Sequence, residues 1–292
     1  MGIEVIQRSN FRLSRVGYAD TPVPPEVVGL GAAQVASAPW AAPHWAGSAP
    51  GAPTTVTVGA AVWIAEIGGR RIALDPVQAA DSVLRCDRDT EIQHQAGVAA
   101  VLARVGFARE SIDVLAMTHI EGVGMVAWRA DDGHWEPFFP NARILVSDDV
   151  LMAFLGAPPA DDSASAEGED ATPDLQFSAW SALIEQGRVA TFADGEEIAP
   201  GMRARVLHGH CAGHTVFHFE DDEPTGAVAF IGHLAVSPLH LATGPCAALN
   251  EQPDEAWAVL HDVAATVPTL VGPLWPAPGY GRWQQDRLTS GD

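Results

Sequence analysis

Residues 117–125 read MTHIEGVGM and place a histidine and a carboxylate two positions apart, directly after an apolar run. If the chain is extended there, the side chains of His119 and Glu121 point to the same side, because strand side chains alternate. The glycines that follow allow the backbone to turn sharply. An isolated pair of this kind also fits an ordinary surface strand end. Its meaning therefore depends on the histidines that come later in the chain.

Two later apolar stretches also end in histidines. The stretch LHGHCAGHT at 207–215 contains His210, and the stretch FIGH ends at His233. Imidazole and carboxylate groups are ligands for divalent ions such as zinc and iron. Each of these residues alone also fits a packed core histidine or a turn. Together, at successive strand ends, His119, Glu121, His210 and His233 predict a metal site.

The order of these motifs resembles the metallo-β-lactamase superfamily, and most closely its lactonase and glyoxalase II-like members. The likeness covers roughly residues 55–282 and includes Asp75 after a Gly-Gly hairpin, together with the segments 139–143 and 276–282. The resemblance implies an α/β chain folded as a four-layer αββα sandwich. We expect one such domain over residues 1–292. Asp75 is expected to orient a metal ligand or to end its strand.

The chain departs from the family pattern in an ordered way. His-x-His-x-Asp-His becomes His-x-Glu-x-Val-Gly at 119–124, His233 replaces the bridging aspartate, and Leu274 replaces the last histidine. By this resemblance, the ligands unique to the second metal, at positions 123, 124 and 274, are missing. The four positions of the first site all keep side chains that can bind a metal. The resemblance therefore implies one metal ion.

The identity of that ion depends on the role of Glu121. Four protein ligands would saturate a tetrahedral zinc ion. A six-coordinate ion such as Fe(II), Mn(II) or Ni(II) would keep two positions open. If Glu121 stands aside, three histidines hold zinc with one open position, and Glu121 is available as a general base. A His-x-Glu start also resembles the flavodiiron branch, and loss of one metal resembles the persulfide dioxygenase branch. The sequence leaves these arrangements open.

Three functions are consistent with this site. The leading hypothesis is a hydrolase, or a related lyase, that acts on a small and largely apolar lactone or ester. The second is a mononuclear non-haem iron oxygenase with a three-His, one-Glu site. The third is a metal-free binding protein on the same fold. Loops flanking the predicted site supply candidate pocket residues, which favour an apolar or aromatic substrate: Met125, Trp128, Phe138, His240 and Trp275.

Composition limits the partners and the compartment. The formal net charge is −21 and the chain contains no lysine, so its surface would repel nucleic acid and anionic membranes. No run of about 18 apolar residues predicts a membrane span, and no secretory signal is evident at the start. The cysteines number three and lie far apart, which favours a reducing cytoplasm over a disulfide framework.

Two segments are expected to lie outside the regular structure. Residues 21–56 form a Pro- and Ala-rich arm whose tryptophans, Trp40 and Trp45, line a pocket, contact a second copy in a homodimer or pin the arm to the body. Residues 158–173 form an acidic insertion with almost no large apolar side chain, which predicts a mobile loop. Elsewhere, hydrophobic periodicity predicts strands over 55–67, 70–75, 114–117, 142–146, 189–192, 202–207, 215–219, 227–231 and 269–271, and helices over 94–106, 147–154, 174–186 and 253–267.

Overall fold

A computed structural model of the chain describes residues 3–31, 45–46, 55–76, 88–121, 124–130, 132–156, 175–244, 249–273, 275, 280–284 and 287–289. The acidic insertion at 158–173 and most of the arm at 21–56 lie outside these residues. Within the described part of the arm, the end of a strand, a 3-10 turn at Pro25–Val28 and a short strand are present. Across the described residues, no helix combines the length and apolar character needed to cross a bilayer.

The first sheet joins eight strands in the order β1-β2-β4-β5-β6-β9-β10, with β3 paired to β4, among the residues described. Its strands are β1 (Ile3–Gln7), β2 (Phe11–Val23), β3 (Trp45–Ala46), β4 (Thr55–Ile67), β5 (Arg70–Leu74), β6 (Val114–Ala116), β9 (Arg143–Ser147) and β10 (Val189–Phe192). The strands β5, β6, β9 and β10 run parallel. A hairpin of β7 (Ala127–Arg129) and β8 (Trp135–Pro137) stands beside the sheet.

The second sheet joins seven described strands in chain order from β11 to β17. They are β11 (Glu197–Ala199), β12 (Met202–Val206), β13 (Thr215–Phe219), β14 (Val228–Phe230), β15 (Thr269–Val271), β16 (Tyr280–Gln284) and β17 (Arg287–Thr289). The described helices are α1 (Arg88–Arg104), α2 (Asp148–Gly156), α3 (Leu175–Glu185), α4 (Leu239–Thr243) and α5 (Pro253–Thr266).

Three of the four hydrophobic clusters among the described residues form layers between these elements. The first lies between the outer face of the first sheet and helices α1 to α3, with Val98, Leu115 and Trp180 in it. The second lies between the two sheets, where residues such as Trp63 and Phe217 meet. The third packs α5 on the outer face of the second sheet. Because strands in the middle are covered on both faces, β4 reads as a nearly continuous apolar run.

The predicted four-layer αββα architecture is confirmed. Most predicted strands and helices form within one to three residues of their expected ends, and the largest difference is α1, which starts at Arg88 rather than at 94. Short apolar runs over residues 1–20 suggest the start of a sheet, and β1 and most of β2 form there, whereas helix α4, the β7–β8 hairpin and the strands β3, β11, β16 and β17 were not predicted. These short strands lack a long alternating pattern and form only because neighbouring strands provide backbone partners. The prediction of a single domain over 1–292 stays a prediction.

Candidate metal centre

Strand ends from both sheets meet at one edge of the sandwich. His119 lies three residues after β6, His233 lies in a 3-10 turn at Gly232–Leu234 directly after β14, and His210 lies in the loop between β12 and β13. The backbone N–H of Thr215 donates to the carbonyl of Thr118 over 2.9 Å and so joins the two sheets at this point. The three predicted histidines are therefore brought together, with ligand atoms all within 4.8 Å of one another.

His119 is oriented by the residue before it and by Asp75. The Asp75 carboxylate accepts the Thr118 backbone N–H over 2.7 Å and also the Thr118 hydroxyl proton. Since the hydroxyl donates to Asp75, it accepts from Nδ1 of His119, 2.9 Å away. Nε2 of His119 is then left without a proton and faces the centre. The expectation that Asp75 orients a ligand therefore fits this hydrogen-bonded chain.

Asp75 combines full burial with a strained backbone conformation. It is fully buried, and its φ of 33° lies in the left-handed region that few non-glycine residues adopt. Burial raises the pKa of its carboxyl, although the nearby His119 and His233 and its hydrogen bonds to Thr118 act in the opposite direction. A strained and desolvated carboxylate persists only where the surrounding structure holds it.

His210 is held by its own loop and by the segment before α5. Its Nδ1 lies 3.2 Å from Oδ1 of Asn250, so Nδ1 carries the proton and Nε2 faces the centre. Gly209, with φ of 114°, packs so closely on α5 that a Cβ there would lie 2.4 Å from the Ala256 nitrogen. Burial lowers the pKa of His210 to about 3, so the ring is neutral at ordinary pH.

His233 is fixed by a close approach of Gly232 to the first sheet. A Cβ on Gly232 would lie 2.5 Å from the Thr118 hydroxyl oxygen and 2.7 Å from Nε2 of His214. His214 is fully buried beside the rings of His119 and His210, and burial lowers its pKa well below the ordinary value. His214 therefore packs directly against two of the predicted ligands.

Glu121 closes the group on its solvent side. Its Oε2 lies 3.2 Å from Nε2 of His119 and 2.5 Å from Nδ1 of His233, while its side chain is 44% exposed. The charge of His233 holds the pKa of Glu121 well below its usual range. Burial of His233 acts to lower its own pKa, but the Glu121 and Asp75 carboxylates outweigh it, and the pKa of His233 is raised.

The arrangement fits a bound cation. The Nε2 atoms of His119 and His210 are 3.3 Å apart, and neither carries a proton in the hydrogen-bonding pattern described above. Nitrogen ligands about 2.0–2.1 Å from a tetrahedral ion would be separated by about 3.3 Å, so the observed spacing suits two metal ligands. Two lone pairs facing each other also repel unless a positive charge lies between them. His233 adds a buried Nε2 that has no partner among the described residues.

Four of the predicted pocket residues are buried or packed against neighbouring groups. Met125 and Phe138 are fully buried in the first hydrophobic layer. The guanidinium of Arg109 lies 4.7 Å from the ring centre of Trp128 and 4.6 Å from that of Phe138. His240 is 2% exposed, and its Nε2–H donates to the carbonyl of Val28 over 2.8 Å. Their role in a substrate pocket stays a prediction.

Sequence reasoning did not select Thr118 or Asn250, although both orient a predicted ligand. The role of Thr118 was predictable from its position directly before His119, because a hydroxyl next to a ligand histidine is a common hydrogen-bonding partner. Asn250 had none, since it lies 40 residues from His210 in the sequence. Of the residues tied to the second metal, position 124 is described and has a φ of 46°, while positions 123 and 274 lie outside the described residues.

Comparison with known proteins rests on structure. No protein-family profile matches the sequence, and no curated protein matches it. Among solved structures, the hydrolase AbOPH of the beta-lactamase superfamily is 19% identical, with a TM-score of 0.71 over 98% of this chain and 95% of that one.

Two further solved structures agree with this. The dizinc quorum-quenching lactonase AidC is 15% identical, with a TM-score of 0.72 over 100% of this chain and 98% of that one. A probable metal-dependent hydrolase from Staphylococcus aureus is 12% identical, with a TM-score of 0.66 over 92% of this chain and 91% of that one. The chain therefore has the fold of the metallo-β-lactamase superfamily.

Proposed function

We propose that this protein is a metal-dependent hydrolase with a single divalent ion, acting on a small and largely apolar lactone or ester. The observation that carries the proposal is the 3.3 Å distance between the Nε2 atoms of His119 and His210, with His233 beside them. The fold is shared with the hydrolase AbOPH and the lactonase AidC, which supports hydrolysis as the reaction class.

In this proposal, His119, His210 and His233 hold the ion. A bound divalent ion supplies a Lewis acid for a carbonyl oxygen and lowers the pKa of a coordinated water. Thr118 keeps the proton of the His119 ring on Nδ1, and Asn250 does the same for His210, so that Nε2 of each ring is available for binding. His233 would bind through its unpartnered Nε2 and release the proton of that atom to solvent, so that its contact with Glu121 keeps only the Nδ1–H hydrogen bond.

Glu121 is assigned as the proton acceptor. Its side chain is 44% exposed, and it borders the three histidines from the side that substrate would approach. With His233 neutral, a bound divalent ion would keep a positive charge beside Glu121, so the group stays a carboxylate and can accept a proton from an attacking water. Cys211 is not a rival nucleophile, because burial raises the pKa of its thiol to about 12.

A specific observation also favours the second hypothesis, a mononuclear iron oxygenase. Oε2 of Glu121 lies within 3.2 Å of nitrogen atoms on both His119 and His233, close enough to become a fourth ligand. With Fe(II), a three-His, one-Glu set leaves open positions for oxygen and substrate. The two hypotheses differ in the metal and in the requirement for oxygen.

Elemental analysis of the protein, purified without added metal, is the first test. We expect one equivalent of zinc, and hydrolysis of a panel of uncharged acyl lactones and short-chain esters in anaerobic as well as aerobic buffer. Bound iron and oxygen consumption would instead support the oxygenase. Failure to bind zinc, iron, manganese or nickel after chelation and reloading would support a metal-free binding protein.

Single substitutions locate the site. His119→Ala, His210→Ala and His233→Ala should each weaken metal binding by at least about 100-fold, because loss of a ligand exceeds the loss of about 10–100-fold that follows removal of a ligand's hydrogen-bonding partner. His218→Ala is the matched control, since His218 is a partly buried histidine on β13 outside the group. Stoichiometric metal in all three site variants would contradict the proposed centre.

A further inference from the structure

Trp275 is fully buried, and both its indole N–H and its backbone carbonyl are hydrogen-bonded. Its indole N–H donates to the carbonyl of Ala235 over 2.9 Å. Its own carbonyl accepts from Nη2 of Arg15, a buried residue on β2, over 2.7 Å. Trp275 therefore connects the first sheet to the segment that follows β14.

The contact with Ala235 is made at the end of the turn that carries His233. Ala235 is the residue after the 3-10 turn at Gly232–Leu234. The other end of this turn is fixed, because Gly232 packs against Thr118 and leaves no room for a Cβ. The backbone around His233 is thus held on one side by this packing and on the other by the Trp275 indole.

The position of the indole depends on a second glycine. A Cβ on Gly272 would lie 2.9 Å from Nε1 and 3.1 Å from Cδ1 of Trp275. The carbonyl of Gly272 accepts the indole N–H of Trp63, over 3.0 Å, which fixes the segment against β4. The absence of a side chain at position 272 therefore allows the indole to reach Ala235.

We propose that Trp275 is a positioning residue for the metal centre, which holds the His233 turn in the place required for binding. This inference rests on the proposed function, because it assumes that His233 binds the ion. This positioning role differs from the role in a substrate pocket that the sequence predicts for Trp275. Arg15 acts through Trp275 by holding its backbone.

The test compares three variants of the full chain. Trp275→Phe removes the N–H donor and keeps an aromatic ring, while Gly272→Ala keeps Trp275 and displaces its indole. Trp180→Phe is the matched control, because Trp180 is also fully buried but packs in the first hydrophobic layer. Metal affinity is measured by titrating the chelated protein with zinc, and the ligand geometry is followed by the visible absorption of bound Co(II).

We expect Trp275→Phe and Gly272→Ala to weaken zinc binding by at least about tenfold, the range found when partners of metal ligands are removed. Both should also change the Co(II) spectrum. Trp180→Phe should lower the melting temperature without changing either reading.

Wild-type affinity and spectrum in both Trp275→Phe and Gly272→Ala would overturn the inference, provided that the wild type binds metal. If one variant does not fold, the other carries the test. A wild-type protein that binds no metal would instead contradict the proposed function.

Discussion

The carboxylate of Glu121 lies 2.5 Å from Nδ1 of His233, although the two residues follow strands of different sheets. This contact spans the seam of the sandwich at the edge where the histidines meet. It pairs a half-exposed carboxylate with a buried ring. The candidate site therefore combines three neighbouring histidines with one acid that faces solvent.

Glu121→Gln separates the roles of base and ligand. We expect zinc affinity within about threefold of the wild type, because three histidines remain, and a loss of lactone or ester hydrolysis of about 100-fold or more, the usual contribution of a general base. Isothermal titration with zinc and steady-state kinetics measure the two effects. A loss of metal affinity as large as that of His119→Ala would make Glu121 a ligand instead.

Asp75→Asn is expected to weaken the candidate site by changing a hydrogen bond while keeping the side-chain volume almost the same. With its oxygen on the Thr118 backbone N–H, the amide presents Nδ2–H to the Thr118 hydroxyl, so the hydroxyl can no longer donate to residue 75. A hydrogen bond to a charged group contributes about 1.5–3 kcal/mol, and we expect a loss of unfolding free energy of that size. Zinc affinity should fall by about tenfold or more because His119 loses its fixed orientation. Wild-type affinity together with reduced stability would restrict Asp75 to a structural role.

The sequence singles out the three histidines that the structure brings together because they are tied to local patterns. His119 and His233 each follow a short apolar strand, and strand ends of a sandwich meet at a shared edge. His210 lies between glycines whose backbone freedom is needed there, since Gly209 has a φ of 114° and no space for a side chain. Each of these signals lies within a few residues of the ligand itself.

The supporting contacts could not be predicted in the same way. Asn250 and Trp275 reach the centre from segments about 40 residues away from the residues they contact. His240 was selected because it lies in a loop expected near the pocket, yet its ring points to the carbonyl of Val28 in the N-terminal arm. No periodic pattern records such contacts, because they depend on how separate loops pack.

Gly209→Ala tests whether the His210 loop depends on its close approach to α5. A Cβ there would lie 2.4 Å from the Ala256 nitrogen, and the φ of 114° is strained for any other residue. We expect a loss of about 3 kcal/mol or more in unfolding free energy. Gly187→Ala is the matched control, with a φ of 68° but nothing within 4 Å of its Cβ, and should cost about 1 kcal/mol. Urea unfolding curves measure both, and equal losses would show that only backbone strain matters at position 209.

His240 should make stability depend on pH. Burial lowers its pKa to about 4 from an ordinary value of 6.5, so the unfolded chain binds a proton at a pH where the folded chain does not. The unfolding free energy therefore has its full value, as far as His240 is concerned, above about pH 6.5, and it falls as the pH drops towards 4. At pH 5 the loss amounts to about 2 kcal/mol. His240→Gln can keep a donor for the Val28 carbonyl without titrating. Urea unfolding at several pH values should show a shallower decline for this variant than for the wild type, although His210 and His214 titrate in both. Parallel declines would mean that His240 is protonated to the same extent in the folded and unfolded chains.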